Sequence, residues 1–251
     1  MALWQRLFGS SGKEVAVQHP LRMDVHSHLI PGIDDGAQTL EESIELIRGL
    51  VDNGIKKIVT TPHILHGSYN NTPEIIRAGL ERLKPELVKA GINVQMECAA
   101  EYYFDDYFLK ELVAENLITF SGRHVLFELP VMMKPPQLED AIFEMNMRGY
   151  TPILAHPERY TYLHGPKLEF YDRIRTMGAL LQVNLLSITG YYSKPIQKAA
   201  RDLISAEMVD LVGTDMHNKR HLEHLPAALA DEYTARLLNK TDLLNHKLFN
   251  A

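Results

Sequence analysis

Along the chain one pattern recurs: apolar residues at helical spacing, a glycine or polar turn, then a short apolar run. Its clearest instance is TLEESIELIRGLVDNGIKKIVTTPH, residues 39–63, where Leu40, Ile44, Ile47 and Val51 share one face of a helix. Thr39 and Glu42 have capping-box spacing, so each side chain can satisfy the other residue's backbone N–H. Gly54 suits the left-handed residue that ends a helix, and IKKIVT then reads as a strand. The same alternation returns in FEMNMRGYTPILAHPER, IRTMGALLQVNLLS and AEMVDLVGTDMHN. Seven strands are expected, around Met23 to Val25, Lys57 to Thr60, Val94 to Cys98, Val125 to Phe127, Pro152 to Leu154, Leu180 to Val183 and Val209 to Val212. Connections long enough to hold a helix join parallel neighbours, so seven such units predict a closed or nearly closed β/α barrel. No Gly/Ser or Pro-rich tract divides the chain, so residues 21–251 are expected to form one domain behind an extension of residues 1–20.

Composition narrows the function. With 251 residues, 45% of them apolar, the chain can bury a large core, and no segment approaches the roughly 20 apolar residues that cross a bilayer. A net charge of -6 argues against a nucleic-acid binder, which would carry a basic face. Cys98 is the single cysteine, which rules out an intrachain disulfide, and MALWQRLFGSSGKEV lacks the apolar run of a secretory signal. A cytoplasmic location is expected. ALWQRLF sets Leu3, Trp4, Leu7 and Phe8 at helical spacing, for which packing on the barrel or a loose tail is expected ahead of peripheral membrane contact.

The polar residues that follow the expected strands change the picture most. His26 and His28 come after the first, then His63, Glu101, Glu128, His156, and finally Asp215 with His217. In parallel barrels that edge is where loops converge on an active site. Histidines and carboxylates without a thiolate form a borderline-to-hard donor set suited to zinc, manganese or iron, and they are too many for one ion. Strand alternation turns His26 and His28 to the same side, and Asp24, of the same parity, is expected to orient one of them. Asp34 and Asp35 in IDDG add a carboxylate whose register is open. His66 and His221 are close enough in sequence to support a ligand, whereas His19, His124, His164, His224 and His246 are expected at the surface or in caps.

Taken together, HSHLIPGIDDG, TTPH, AAEYY, AHPERY and GTDMHN resemble the PHP (polymerase and histidinol phosphatase) superfamily. They are most similar to the bacterial metal-dependent protein-tyrosine phosphatases encoded with capsular and exopolysaccharide export systems. The likeness runs in order from about Met23 to Asn218. It implies a distorted seven-stranded β/α barrel of the TIM-like kind with three divalent ions, often manganese. Carried over by position, His26, His28, Glu101 and Asp215 would hold the first ion. Glu101, Glu128 and His156 would hold the second, and Asp35, chosen over Asp34, would hold the third with His63 and His217. The substrate it implies is a tyrosine-phosphorylated protein, especially the tail of a tyrosine autokinase that controls polysaccharide polymerisation.

Charge then dictates the chemistry. A phosphate dianion repels hydroxide, so hydrolysis needs clustered cations that neutralise it and supply metal-bound hydroxide. An arginine fork can hold the remaining oxygens. The resemblance gives that role to Arg159 in HPER and expects a second arginine after DMHN, where Arg220 stands about two residues early. Rival chemistries lack their residues. A thiol phosphatase needs an arginine six positions after its cysteine, and Phe104 is there; G-x-S-x-G and Walker motifs are absent. Amidohydrolases commonly bridge their metals with a modified lysine where this chain has Glu128, and TatD-like nucleases lack the Asp35, His63 and His217 set. A small phosphate ester such as histidinol phosphate is the alternative substrate, and a metal-stabilised phosphotyrosine-binding module the non-catalytic alternative. The pairs Tyr102-Tyr103 and Tyr191-Tyr192 are candidates to line the mouth of the site, with core or rim packing the expected use of either.

Overall fold

The computed structural model describes residues 19–165 and 168–249. The ALWQRLF segment therefore lies outside the described residues. The chain begins β1 (Met23–Asp24), α1 (Leu40–Asp52), β2 (Lys57–Thr60), β3 (His63–Ile64), α2 (Pro73–Lys89), β4 (Gln95–Cys98), β5 (Glu101–Tyr103), α3 (Asp106–Val113) and β6 (His124–Glu128). It continues α4 (Leu138–Met147), β7 (Thr151–Ala155), α5 (Glu169–Thr176), β8 (Leu180–Asn184), α6 (Leu185–Thr189), α7 (Lys194–Ser205) and β9 (Leu211–Gly213). Three helices, α8 (Lys219–Leu229), α9 (Glu232–Leu238) and α10 (Leu244–Phe249), complete the order.

All seven expected strand positions hold a strand, and every named pairing is parallel. The pairing does not give one closed cylinder. Strands β1-β2-β4 form a three-stranded sheet and β3-β5-β6-β7-β8-β9 a six-stranded one. The division arises where two strands break: Thr61-Pro62 separates β2 from β3, and Ala99-Ala100 separates β4 from β5. Proline cannot donate to a ladder, and at this break Glu101 N–H is shared between Thr61 O and Pro62 O at 3.2 Å each. Two backbone bonds still join the first and last strand positions: Asp215 N–H donates to His26 O at 2.8 Å and His28 N–H to Met216 O at 2.9 Å.

Helix α1 shows how the sequence sets these boundaries. Thr39 Oγ1 accepts from Glu42 N–H at 3.2 Å and the Glu42 carboxylate accepts from Thr39 N–H at 3.3 Å, closing the capping box. Gly54 takes φ +99° beyond the other end, a backbone region that favours glycine. The buried face is rotated from the expected stripe. Ser43, Leu46, Ile47 and Leu50 are buried, while Leu40, Ile44 and Val51 are only partly covered, and the helix packs against α8 and α2.

The main core lies between strands and helices, and a smaller cluster of Met23, Val25, Val59, Leu126, Ile153, Ala155 and Leu211 gathers side chains from strands of both sheets. Two glycines let the backbone close on the site above it. A Cβ on Gly36 would stand 2.1 Å from His28 O, and one on Gly213 2.6 Å from the His26 Cβ.

Candidate metal centre

The strand ends bring eight of the nine expected donors together in three overlapping groups: His26, His28, Glu101 and Asp215; His28, Asp35, His63 and His217; and His63, Glu101 and Glu128. His156 joins them through Glu101 Oε1 at 2.8 Å and stands 3.8 Å from Glu128 Oε2. His63 thus stands closer to Glu101 and Glu128 than the sequence implied. Its Nδ1 lies 3.3 Å from Glu101 Oε2 and 3.2 Å from Glu128 Oε1, while its Nε2 is 3.5 Å from Asp35. Register explains the meeting: His63 is the ladder partner of Glu101 in β3-β5, and Tyr103 that of Glu128 in β5-β6.

The donor spacing fits a small cation. His26 Nε2 and His28 Nε2 are 3.3 Å apart, and they stand 3.0 and 3.3 Å from Glu101 Oε2 and 3.3 and 3.5 Å from Asp215 Oδ1. A tetrahedral ion with ligands at about 2.0–2.1 Å would separate them by about 3.3 Å. The deeply buried nitrogens His63 Nδ1 and His156 Nδ1 make no hydrogen bond among the described residues, although His63 Nδ1 faces two carboxylates. A cation between His63 Nδ1 and those carboxylates would satisfy what hydrogen bonding leaves unmet there, whereas His156 faces Glu101 through its other nitrogen, Nε2.

A chain of side chains fixes which nitrogen of His26 faces the cleft. The carboxylate of Asp215 can only accept, so Asn184 presents its NH2 to Oδ2 at 2.6 Å. Asn184 Oδ1 then accepts from the Gln182 NH2 at 2.9 Å, and Gln182 Oε1 accepts from His26 Nδ1–H at 2.7 Å. The His26 Nε2 lone pair is thereby turned toward Glu101 and Asp215, as metal-binding imidazoles are usually oriented. Asp34 does the same for His28. Its Oδ2 lies 2.7 Å from His28 Nδ1 and accepts from His63 N–H at 3.0 Å, so Asp34 is buried as a support and Asp35 is left facing His63 and His217.

Electrostatics match this donor set. Burial disfavours the charged ring of His26, but Glu101 and Asp215 outweigh it and raise its pKa to about 10. His63 is likewise raised to about 10, with burial opposed by Glu101 and Glu128. Glu101 and Asp215 are held well below the usual carboxylate range: burial opposes this, and the surrounding histidines prevail. Asp35 is lowered to about 2, first by its hydrogen bond with His217. The pocket therefore attracts positive charge, whether protons or ions. Two of its residues adopt left-handed backbone, His156 at φ 33° and Asp215 at φ 51°, a strained conformation for side chains of this kind.

The groups sit in a cleft of about 410 Å³ whose walls include Leu65, Tyr69, Arg159, Tyr192, Asn218 and His221. With this geometry in hand, comparison with known proteins decides the family. The family model described as capsular polysaccharide synthesis, CpsB/CapC, matches residues 22–236. The chain belongs to the CpsB/CapC family. Similar relatives include the tyrosine-protein phosphatase CpsB of Streptococcus agalactiae, 31% identical over 217 residues that cover 84% of this chain and 88% of the relative. Another is the tyrosine-protein phosphatase YwqE of Bacillus subtilis, 28% identical over 220 residues and 86% of each chain. A crystal structure of the metal-dependent tyrosine phosphatases YwqE from Bacillus subtilis and CpsB from Streptococcus pneumoniae superposes with TM-score 0.78 and 26% identity, over 90% of this chain and 94% of that one. Histidinol phosphate phosphatase of Lactococcus lactis, at 12% identity and TM-score 0.53 over 83% and 92% of the two chains, shares the fold.

The remaining expected residues of this CpsB/CapC-family chain separate into those at the cleft and those away from it. Arg159 borders the cleft: its Nη1 is 3.2 Å from Asp215 Oδ2 and its guanidinium lies 4.9 Å from the Tyr192 ring centre. Arg220 does not line the cleft. It is exposed and rests over Tyr191 at 5.5 Å. His221 comes to the cleft, with Nδ1 2.9 Å from Asp215 O, whereas His66 is exposed and stacked on Tyr107. Asp24 bonds to neither imidazole among the described contacts; it accepts from Thr214 N–H and Oγ1–H, each at 2.8 Å. Of the tyrosine pairs, Tyr102 is buried and accepts from Ile118 N–H, while Tyr192 lines the cleft. Sequence reasoning passed over Gln182 and Asn184, although two polar residues alternating in a strand buried on both faces were a visible signal.

Proposed function

We propose that this chain is a metal-dependent protein-tyrosine phosphatase that hydrolyses phosphotyrosine monoesters to tyrosine and inorganic phosphate. The observation that carries the reading is the convergence of the three donor groups with Arg159 on one open cleft. Three divalent ions, manganese first, with iron or zinc compatible with the donors, would be held by His26, His28, Glu101 and Asp215; by Glu101, Glu128 and His156; and by Asp35, His63 and His217. Such ions would neutralise the phosphate and lower the pKa of the attacking water.

The chain's own residues do the rest. Arg159 can offer its planar donor fork to phosphoryl oxygens while Tyr192 supports its face. The Asp215–Asn184–Gln182–His26 chain holds one imidazole in a single tautomer. No covalent thiol step is required; Cys98 is half-buried at the end of β4, and burial raises its pKa. The bonds from Asp215 N–H to His26 O and from His28 N–H to Met216 O, across the first and last strand positions, support reading the two sheets as a distorted seven-position barrel. The physiological substrate is then a tyrosine-phosphorylated tail of a polysaccharide-export autokinase, met in the cytoplasm. No helix among the described residues is long and apolar enough to cross a membrane.

The test compares turnover of a phosphotyrosine peptide and of histidinol phosphate by the manganese-loaded protein. A kcat/KM at least tenfold higher for the peptide is expected. A preference for histidinol phosphate would overturn the substrate assignment, and tight peptide binding without turnover would make the protein a binding module.

A further inference from the structure

A second pocket of about 260 Å³ adjoins the catalytic cleft and is lined by Ile64, His66, Tyr69, Tyr107 and the 70–72 segment. Tyr69 borders both cavities. The β3 segment alternates between them: His63 and Leu65 line the cleft, Ile64 and His66 the pocket. The walls are flat rings. Tyr69 lies nearly parallel to His63, 14° apart in plane and 5.7 Å between centroids, and His66 lies nearly parallel to Tyr107, at 11° and 5.7 Å. Backbone bonds between Leu65 and Tyr69, at 3.1 and 2.8 Å, hold the turn that carries His66. Asn71 Nδ2 ties its base to Ile33 O and His63 O at 2.9 and 2.8 Å.

Resting on the phosphotyrosine reading, we propose that this pocket is a subsite for an aromatic side chain one to three residues from the phosphotyrosine of a polypeptide substrate. Its volume is below the roughly 300–1,000 Å³ of pockets that enclose whole ligands, and it suits one side chain. It continues the cleft in which the phosphorylated ring must sit, and an extended chain advances about 3.3–3.6 Å per residue, so a near neighbour reaches over Tyr69. An aromatic guest can stack on or meet the edges of His66, Tyr69 and Tyr107 above the buried Ile64. Acidic guests are disfavoured, because the Asp105 carboxylate is already at the pocket, its Oδ2 accepting from His66 N–H at 3.4 Å.

The experiment uses the metal-loaded full chain, free phosphotyrosine, and phosphotyrosine peptides carrying Phe, Ala or Asp at each of three positions on either side. Non-hydrolysable phosphonate versions report binding separately from turnover. Aromatic contacts of this kind contribute about twofold to tenfold each, so wild type should favour Phe over Ala by about tenfold at positions on one side, with Asp weakest. His66→Ala and Tyr107→Ala should reduce the Phe/Ala ratio to about threefold or less, in both kcat/KM and phosphonate Kd. His66 is exposed, so its variant reports even where Tyr107→Ala fails to fold. A flat Phe/Ala ratio in wild type, or a preference that survives both variants, would overturn the subsite while turnover of free phosphotyrosine left the phosphatase reading intact. Turnover of neither phosphotyrosine nor its peptides would overturn both. Self-association of the wild type that His66→Ala abolishes would assign the pocket to a second copy and overturn the proposal.

Discussion

Replacing Arg159 separates its proposed hold on phosphate from a purely structural role. Its Nη1 sits 3.2 Å from Asp215 Oδ2, but that oxygen also accepts from Asn184 Nδ2 at 2.6 Å, so Asp215 stays fixed when the arginine is removed. Metal content should therefore not change in Arg159→Lys or Arg159→Ala. What is lost is a fork of donors bordering the cleft, and hydrogen bonds to charged groups are worth about 1.5–3 kcal/mol. At a factor of ten per 1.36 kcal/mol, losing one such bond lowers kcat/KM by roughly one to two orders of magnitude, the expectation for Arg159→Lys. Arg159→Ala, which also removes the charge, should fall further. The hold tightens as charge shifts in the transition state, so kcat should drop as well as KM rise. Phosphopeptide kinetics, bound metal and the thermal midpoint are measured on both variants. Wild-type kinetics with a lowered midpoint would show that Arg159 only braces Asp215 and its short 157–159 turn, and would refute the reasoning.

Gly213→Ala forces a Cβ to within 2.6 Å of the His26 Cβ and 2.8 Å of Gln182 Nε2, so His26 must leave its support. Metal affinity should fall about 10- to 100-fold, as when such supports are mutated; competition with a chromogenic chelator measures it, and unchanged affinity counts against the side-chain chain described above. Cys98→Ser should keep near-normal turnover and metal content, since the half-buried thiol is not among the residues of the cleft; complete loss with the fold intact would restore covalent catalysis. The chelated protein should lose stability in alkali. His26 and His63 are raised from 6.5 to about 10 on folding, so their contribution is full below pH 6.5 and is lost as pH rises through 10. Its thermal midpoint should therefore fall between pH 6.5 and 10, and a midpoint that rose across that window would contradict the charge assignment.

His26, His28 and Asp215 are legible because the segments just beyond the C-terminal ends of β1 and β9 meet at one common edge, and Glu101 because it stands three residues past β4, where β5 begins. Adjacent carboxylates are not distinguishable that way. Asp34 turns inward only because Gly36 lets the loop close on His28, a contact that appears with the folded backbone. Gln182 and Asn184 are hidden for a related reason: their partners, His26 and Asp215, are 156 and 31 residues away. Asp24 shows the cost of parity alone, since its partner Thr214 lies 190 residues on and not in the HSH motif. The breaks at Pro62 and Ala99-Ala100 also escape periodicity, because each is two residues long and flanked on both sides by strand-like sequence.

The central claim is that the His and carboxylate groups act by holding divalent ions. It is tested most directly by following phosphotyrosine-peptide turnover in one sample as isolated, after chelation, and after manganese is returned, with bound metal counted at each stage. The account predicts about three ions per chain, one for each donor group, loss of turnover when they are removed from the folded protein, and recovery when they return. A folded, ion-free sample that kept full turnover would contradict it.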